Sequence, residues 1–136
     1  MRCARLLLVA CLASCSLTST GTGGECRIDS QCGEEVCANS GECLPRASVR
    51  DVVVRWSVSG VAADDDSCAG HPDLYLQFDG DYGDTLRVAP VPCRAGAYRV
   101  GKLPRRYQRV ELGAEGGASE SIAIDASSSQ LQIDLF

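Results

Sequence analysis

The amino-acid sequence predicts a mainly β protein, with a small disulfide-rich module followed by an antiparallel β-sandwich. Three observations carry this. Period-two apolar alternation recurs between turn residues from Val52 to the C-terminus, four cysteines crowd between Cys26 and Cys43, and no segment shows a helical repeat. Fourteen glycines and few aromatic residues fit short strands joined by turns. A chain of 136 residues accommodates one ordinary domain plus a minimal module and excludes anything larger.

The N-terminus reads as an export leader over residues 1–14. Met1 to Arg5 is a short positive segment, and Leu6 to Leu12 is an apolar run too short to cross a hydrocarbon core of about 30 Å as a helix. Leu12-Ala13-Ser14-Cys15 closes it and resembles the bacterial lipobox, a leucine and two small residues before a cysteine. That resemblance implies cleavage before Cys15, a diacylglycerol thioether on its sulfur and acylation, by palmitate or a similar chain, of the new N-terminus. Several acyl chains hold a protein at a membrane where one binds only reversibly, since each buried methylene contributes about 0.8 kcal/mol. The competing reading is an ordinary signal peptide with Ala13 and Ser14 at a conventional cleavage site. Ser16 rather than Asp after the cysteine resembles the outer-membrane sorting pattern, so the expected address is the cell envelope, outer membrane before inner. The segment 15–25 has nothing to bury and reads as a tether; a ten-residue coil spans roughly 17 Å.

Loss of the leader leaves eleven basic residues against eighteen acidic ones, a net charge of −7. That sign argues against a nucleic-acid partner, whose phosphates require a basic face. Attraction to anionic headgroups is excluded on the same ground, so the expected membrane contact is made by the lipid anchor.

Of nine cysteines, Cys3 and Cys11 leave with the leader and Cys15 is consumed by lipid, which leaves an even six. Cys26, Cys32, Cys37 and Cys43 form the module 26–45, and Cys68 and Cys93 form a distant pair in the domain 48–136. Four cysteines permit three pairings. Zinc is the rival reading, but close C-x2-C chelating pairs are missing and the export signal favours bridges. Residues 26–43, through Asp29, Val36, Gly41 and the four cysteines, resemble the small cysteine-rich repeat, loosely of Dickkopf or EGF-like type, near the N-termini of lipoproteins from myxobacteria and their relatives. The resemblance implies Cys26–Cys37 and Cys32–Cys43. A bridge Cys68–Cys93 in the next domain closes a loop for about 3 kcal/mol of chain-entropy stabilisation.

In the C-terminal domain, Val52, Val54, Trp56 and Val58 form the inward face of the first strand, with Trp56 as its anchor. Leu74, Leu76 and Phe78 repeat the alternation, and Asp79 to Asp84 make a polar turn before Leu86, Val88 and Pro90, which predicts a hairpin. Tyr98 to Val100 and Val110 to Leu112, joined through Leu103-Pro104, come next, and Ile122, Ile124, Leu131, Ile133 and Leu135 complete about seven strands. Trp56 to Gly60, Ser67-Cys68-Ala69, Cys93 and Leu103-Pro104-x-x-Tyr107 resemble a domain of the same deltaproteobacterial lipoproteins. That resemblance implies an immunoglobulin-like or transthyretin-like sandwich and brings no activity with it.

No catalytic constellation emerges, so the chain is expected not to be an enzyme and to carry no cofactor. His71 is the one histidine and stands between Gly70 and Pro72 without a nucleophile motif. Asp79, Asp81 and Asp84 offer calcium-type oxygens, as does the run Asp64 to Asp66, but out of the EF-hand register. Arg105, Arg106 and Arg109 form a basic cluster that reads as a solvated strand edge. The expected function is a non-catalytic envelope or surface binding or structural module, with an envelope protein or glycan as partner. A disulfide-rich inhibitor-like protein and a calcium-dependent glycan-binding domain are the alternatives.

Overall fold

The computed structural model describes residues 25–135. The leader, the lipidation candidate Cys15 and the tether before Glu25 lie outside the described residues. Among the described residues, no helix is long and apolar enough to cross a membrane.

A disulfide-rich patch comes first and a two-sheet domain follows. In the patch, β1 (Val36–Cys37) and β2 (Cys43–Leu44) pair antiparallel with Cys37 opposite Cys43. Disulfides tie each of these cysteines to the preceding loop, Cys37 to Cys26 and Cys43 to Cys32. So short a segment cannot bury enough apolar surface to fold on that alone, and cross-links restrict its unfolded ensemble instead. Its few apolar side chains are shared with the next domain: Val36 and Ala38 are buried together with Val49, with Leu44 packed against them.

The two-sheet domain contains eight strands among the described residues, one more than the alternation predicts. Strand β3 (Val49–Val58) buries Val49, Val52, Val54, Trp56 and Val58. The three-residue step from Val49 to Val52 marks a bulge in its pairing with β7, between Arg50 and Val52. Ser59 and Gly60, at φ 52° and 77°, make the tight turn into β4 (Val61–Ala62). Two consecutive left-handed residues are what a two-residue hairpin turn requires. Strands β5 (Asp73–Gly80) and β6 (Thr85–Pro92) form the expected hairpin, and β7 (Ala97–Pro104), β8 (Tyr107–Ala114), β9 (Ser119–Ala123) and β10 (Gln130–Leu135) complete the domain.

One sheet has β10 on one edge of β3 and β7 followed by β4 on the other; the second runs β6-β5-β8-β9. Residues from both sheets meet in one core, where Val52, Val54 and Trp56 join Leu76, Phe78, Val110, Leu112 and Ile133. Full burial of a side chain such as Phe78 contributes about 1.5–3 kcal/mol. The Trp56 indole N–H donates to the Cys93 carbonyl at 2.7 Å, and the buried disulfide Cys68–Cys93 joins the loop before β5 to the turn after β6.

Three expectations need correction. The sandwich is not wholly antiparallel: β10 runs parallel to β3, because the chain leaves β9 in one sheet and crosses to the free edge of β3 in the other. Leu103 and Pro104 do not connect two strands; they are buried at the end of β7, and Arg105-Arg106 form the turn. In β6 the core contact is Val91 rather than Pro90, because the pairing with β5 shifts register between Leu74 and Leu76 and changes the inward face.

Candidate functional site

The acidic residues singled out above do not converge. Asp84 accepts from Arg106 Nε at 2.5 Å and from the Tyr107 hydroxyl at 3.2 Å, and Asp79 accepts from the Gln77 amide at 2.9 Å. The neighbouring Tyr82 points fully into solvent at φ 58°. Asp64 is occupied in its own turn, where its carboxylate accepts the Ser67 N–H at 2.8 Å. Among the described residues, the only three ligand-type groups within 4.8 Å of one another are Cys26, Cys32 and Cys37, and sulfurs joined in disulfides present no thiolate to zinc. His71 sits in an exposed turn, its N–H donated to the Cys68 carbonyl at 2.9 Å.

The arginine cluster is not a solvated strand edge. Arg109 belongs to β8, which is paired on both sides, with β5 and β9. Arg106 is half-buried and clamps two segments at once, donating to Glu42 of the patch and to Asp84 in the loop of the β5–β6 hairpin. Burial weakens its hold on its proton, but the hydrogen bonds to Glu42 and Asp84 outweigh that and raise its pKa. Glu42 is held below the usual carboxylate range by the Ser40 hydroxyl and then by Arg106. Burial, followed by the charge of Asp84, pushes the Tyr107 phenol up.

A second clamp comes from the bulge in β3. Opposite it, Lys102 takes a left-handed φ of 52°, and its N–H donates to Asp51 at 3.0 Å. This exposes the Lys102 carbonyl to the Asn39 N–H of the patch at 3.0 Å and aims its ammonium at Asp29, 2.5 Å away. Asp29 also accepts the Cys37 N–H at 3.0 Å; the lysine bond and then this one lower its pKa. The seam therefore combines the apolar cluster of Val36, Ala38 and Val49 with two ion pairs.

Sequence reasoning missed Arg50. From the bulged start of β3 it reaches into the other sheet, donating through Nη2 to the Tyr107 carbonyl at 2.5 Å and through Nη1 to the Asp125 carbonyl at 2.9 Å. Its Nε is buried and has no hydrogen-bond partner. Arg105 converges from the β7–β8 turn and donates to the carbonyls of Ala47 and Ala126 at 3.0 and 3.3 Å. Together with Gln108, Ala123, Ile124 and Ala126 they line a cleft of about 380 Å³. The broken alternation Val49-Arg50-Asp51-Val52 is the one sequence signal that places a charged side chain beside the core here.

Comparison of the chain with protein families, with curated proteins and with solved structures finds no match in any of the three.

Proposed function

We propose that this chain is a non-catalytic, lipid-anchored module of the bacterial cell envelope, held through Cys15 and presenting its disulfide patch and sheet domain as one body to an envelope partner. In this reading residues 1–14 are the leader and 15–25 the tether, the patch is of the Dickkopf or EGF-like type, and the sheet domain is an immunoglobulin-like or transthyretin-like sandwich. The lipobox-like Leu12-Ala13-Ser14-Cys15 supports the anchor.

The observation that carries the binding or structural role is the seam. Two ion pairs and a shared apolar cluster fix the patch, where the tether arrives at Cys26, to the sheet domain. A partner that engages the domain is thereby connected to the membrane through the seam and the tether. Metabolic labelling with a palmitate analogue in cells, with and without globomycin, tests the anchor: the label is expected on wild type and lost in Cys15→Ser, with the unprocessed precursor accumulating under the drug. Labelling that persists in Cys15→Ser, or processing indifferent to globomycin, refutes it. In-cell crosslinking and mass spectrometry of the captured neighbours identifies the partner.

A further inference from the structure

We propose that the cleft between Arg50 and Arg105 binds the carboxylate of a small ligand whose apolar body rests on Ala123, Ile124 and Ala126. This goes beyond the anchor reading and holds whether or not Cys15 carries lipid.

The argument begins with donors. A guanidinium has five N–H groups and is charged at any physiological pH. Arg50 commits one Nη1 and one Nη2 proton, both to main-chain carbonyls, and Arg105 commits one proton each from Nε and Nη1 in the same way. Three N–H groups remain on each, of which the Arg50 Nε–H is buried. Neither arginine has a carboxylate within 4.0 Å among the described residues, whereas Arg87, Arg94, Arg99, Lys102 and Arg106 all do. Asp125 lines the cleft, yet only its main-chain oxygen is used.

The two charges are also mutually unfavourable. Burial, and then the like charge of Arg105, weakens Arg50's hold on its proton. Arg50 is partly withdrawn from water and Arg105 stands exposed beside it, and carbonyls neutralise none of the charge on either. The two cations share this cleft with the Asp125 carboxylate, which stands beyond 4.0 Å of either, so a counter-charge supplied from outside can still be accepted between them.

The rest of the cleft narrows the ligand class. The Gln108 side-chain amide makes no hydrogen bond to a described residue and stands at the same opening, a further donor for an oxygen ligand. The lining also includes the exposed methyl groups of Ala123 and Ala126 and the largely buried Ile124. Planar guanidinium forks match a carboxylate's two oxygens. Apolar walls with a few convergent polar groups are the usual construction of a small-molecule site. A bare inorganic anion would leave that wall unused.

The test uses the full-length protein in detergent micelles, labelled with ¹⁵N-arginine and titrated at constant ionic strength with isovalerate, acetate or inorganic phosphate. Isovalerate is expected to shift the Arg50 and Arg105 Nε–H resonances saturably, with a Kd on the order of 1 mM. Acetate, with little apolar body, and phosphate are expected to bind at least about fivefold more weakly. Arg105→Ala should weaken isovalerate by about tenfold or more, as expected for loss of a charged donor. Because Arg105 also braces its turn, Arg105→Lys and Gln108→Ala provide controls that keep the charge or touch no existing bond. Each should weaken isovalerate binding by about threefold with the amide spectrum otherwise unchanged. Absence of a saturable shift with isovalerate overturns the proposal, as does unchanged affinity in all three variants. Tighter binding of phosphate than of isovalerate overturns the carboxylate assignment.

Discussion

Replacing Arg106 by alanine cuts the larger of the two clamps that hold the disulfide patch on the sheet domain. The substitution removes hydrogen bonds to Glu42 and Asp84 and the stacking of the guanidinium over Tyr107, 5.0 Å from the ring centroid. Exposed ion pairs contribute only about 0.2–1 kcal/mol each, and the Arg106 side chain, 34% exposed, lies near the screened end of the range. Two such pairs plus the stacking give an expected loss of about 1–2 kcal/mol, or roughly 5–12 °C in Tm for a domain near this size. Scanning calorimetry at pH 7 measures it. A double-mutant cycle with Glu42→Gln isolates the contact across the seam, with an expected coupling of about 0.5–1 kcal/mol that shrinks at high salt. Hydrogen exchange at Cys37 and Ala38, whose N–H groups bond within the patch, should accelerate in the variant. A Tm unchanged within error together with zero coupling would refute the seam as a mechanical joint.

Two further outcomes follow from the same contacts. Replacing both Cys68 and Cys93 by alanine removes a cross-link between residues 25 apart in sequence, for an expected loss of about 3–4 kcal/mol in urea unfolding followed by the single tryptophan, Trp56, which donates to the Cys93 carbonyl; a loss below about 1 kcal/mol would contradict the chain-entropy account. Asp29 is lowered by Lys102 and the Cys37 N–H, Glu42 by Ser40 and Arg106, and Asp51 by Arg99 and the Lys102 N–H. Groups with folded pKa values below their ordinary 3.8 and 4.5 contribute stability that is complete above those values and lost as pH falls through the folded ones. Tm should therefore stay level from about pH 7 to 5 and fall below about 4, less steeply in Asp29→Asn with Glu42→Gln, whereas a Tm that rises on acidification would exclude these carboxylates as the cause.

The strand cores were legible because burial with period two is a local property. Val52, Val54, Trp56 and Val58, then Leu74, Leu76 and Phe78, are buried in the order their alternation implies. What failed depended on distant chain. Nothing in Leu131, Ile133 and Leu135 indicates that β10 lies parallel to β3, since strand direction follows from the crossover between sheets. Leu103-Pro104 resembles a breaker, yet the bulge at Asp51 lets β7 continue through it to the buried end of the strand. Arg106 looks solvated in the sequence because its partners stand 64 and 22 residues away. Arg50 escaped notice because a charge inside an apolar run looks like the outward half of the alternation until the bulge is counted.

Arg105 and Arg106 show why composition could not reveal either site. They are successive residues of one tight turn, so their side chains leave it on opposite sides. Arg106 points to the patch and the β5–β6 hairpin, where it meets two carboxylates; Arg105 donates to the carbonyls of Ala47, before β3, and Ala126, in the β9–β10 crossover, and lines a cleft with Arg50. One side of the turn is electrostatically complete and serves to hold the molecule together. The other has no carboxylate within 4.0 Å of either guanidinium, in a chain that has five more acidic than basic residues to draw on. Ala123 and Ala126 line that cleft with methyl groups where an acid could have stood. Supplying such an acid, as Ala126→Asp, should raise Tm and compete away isovalerate together, which stabilisation of a merely structural arginine pair would not require.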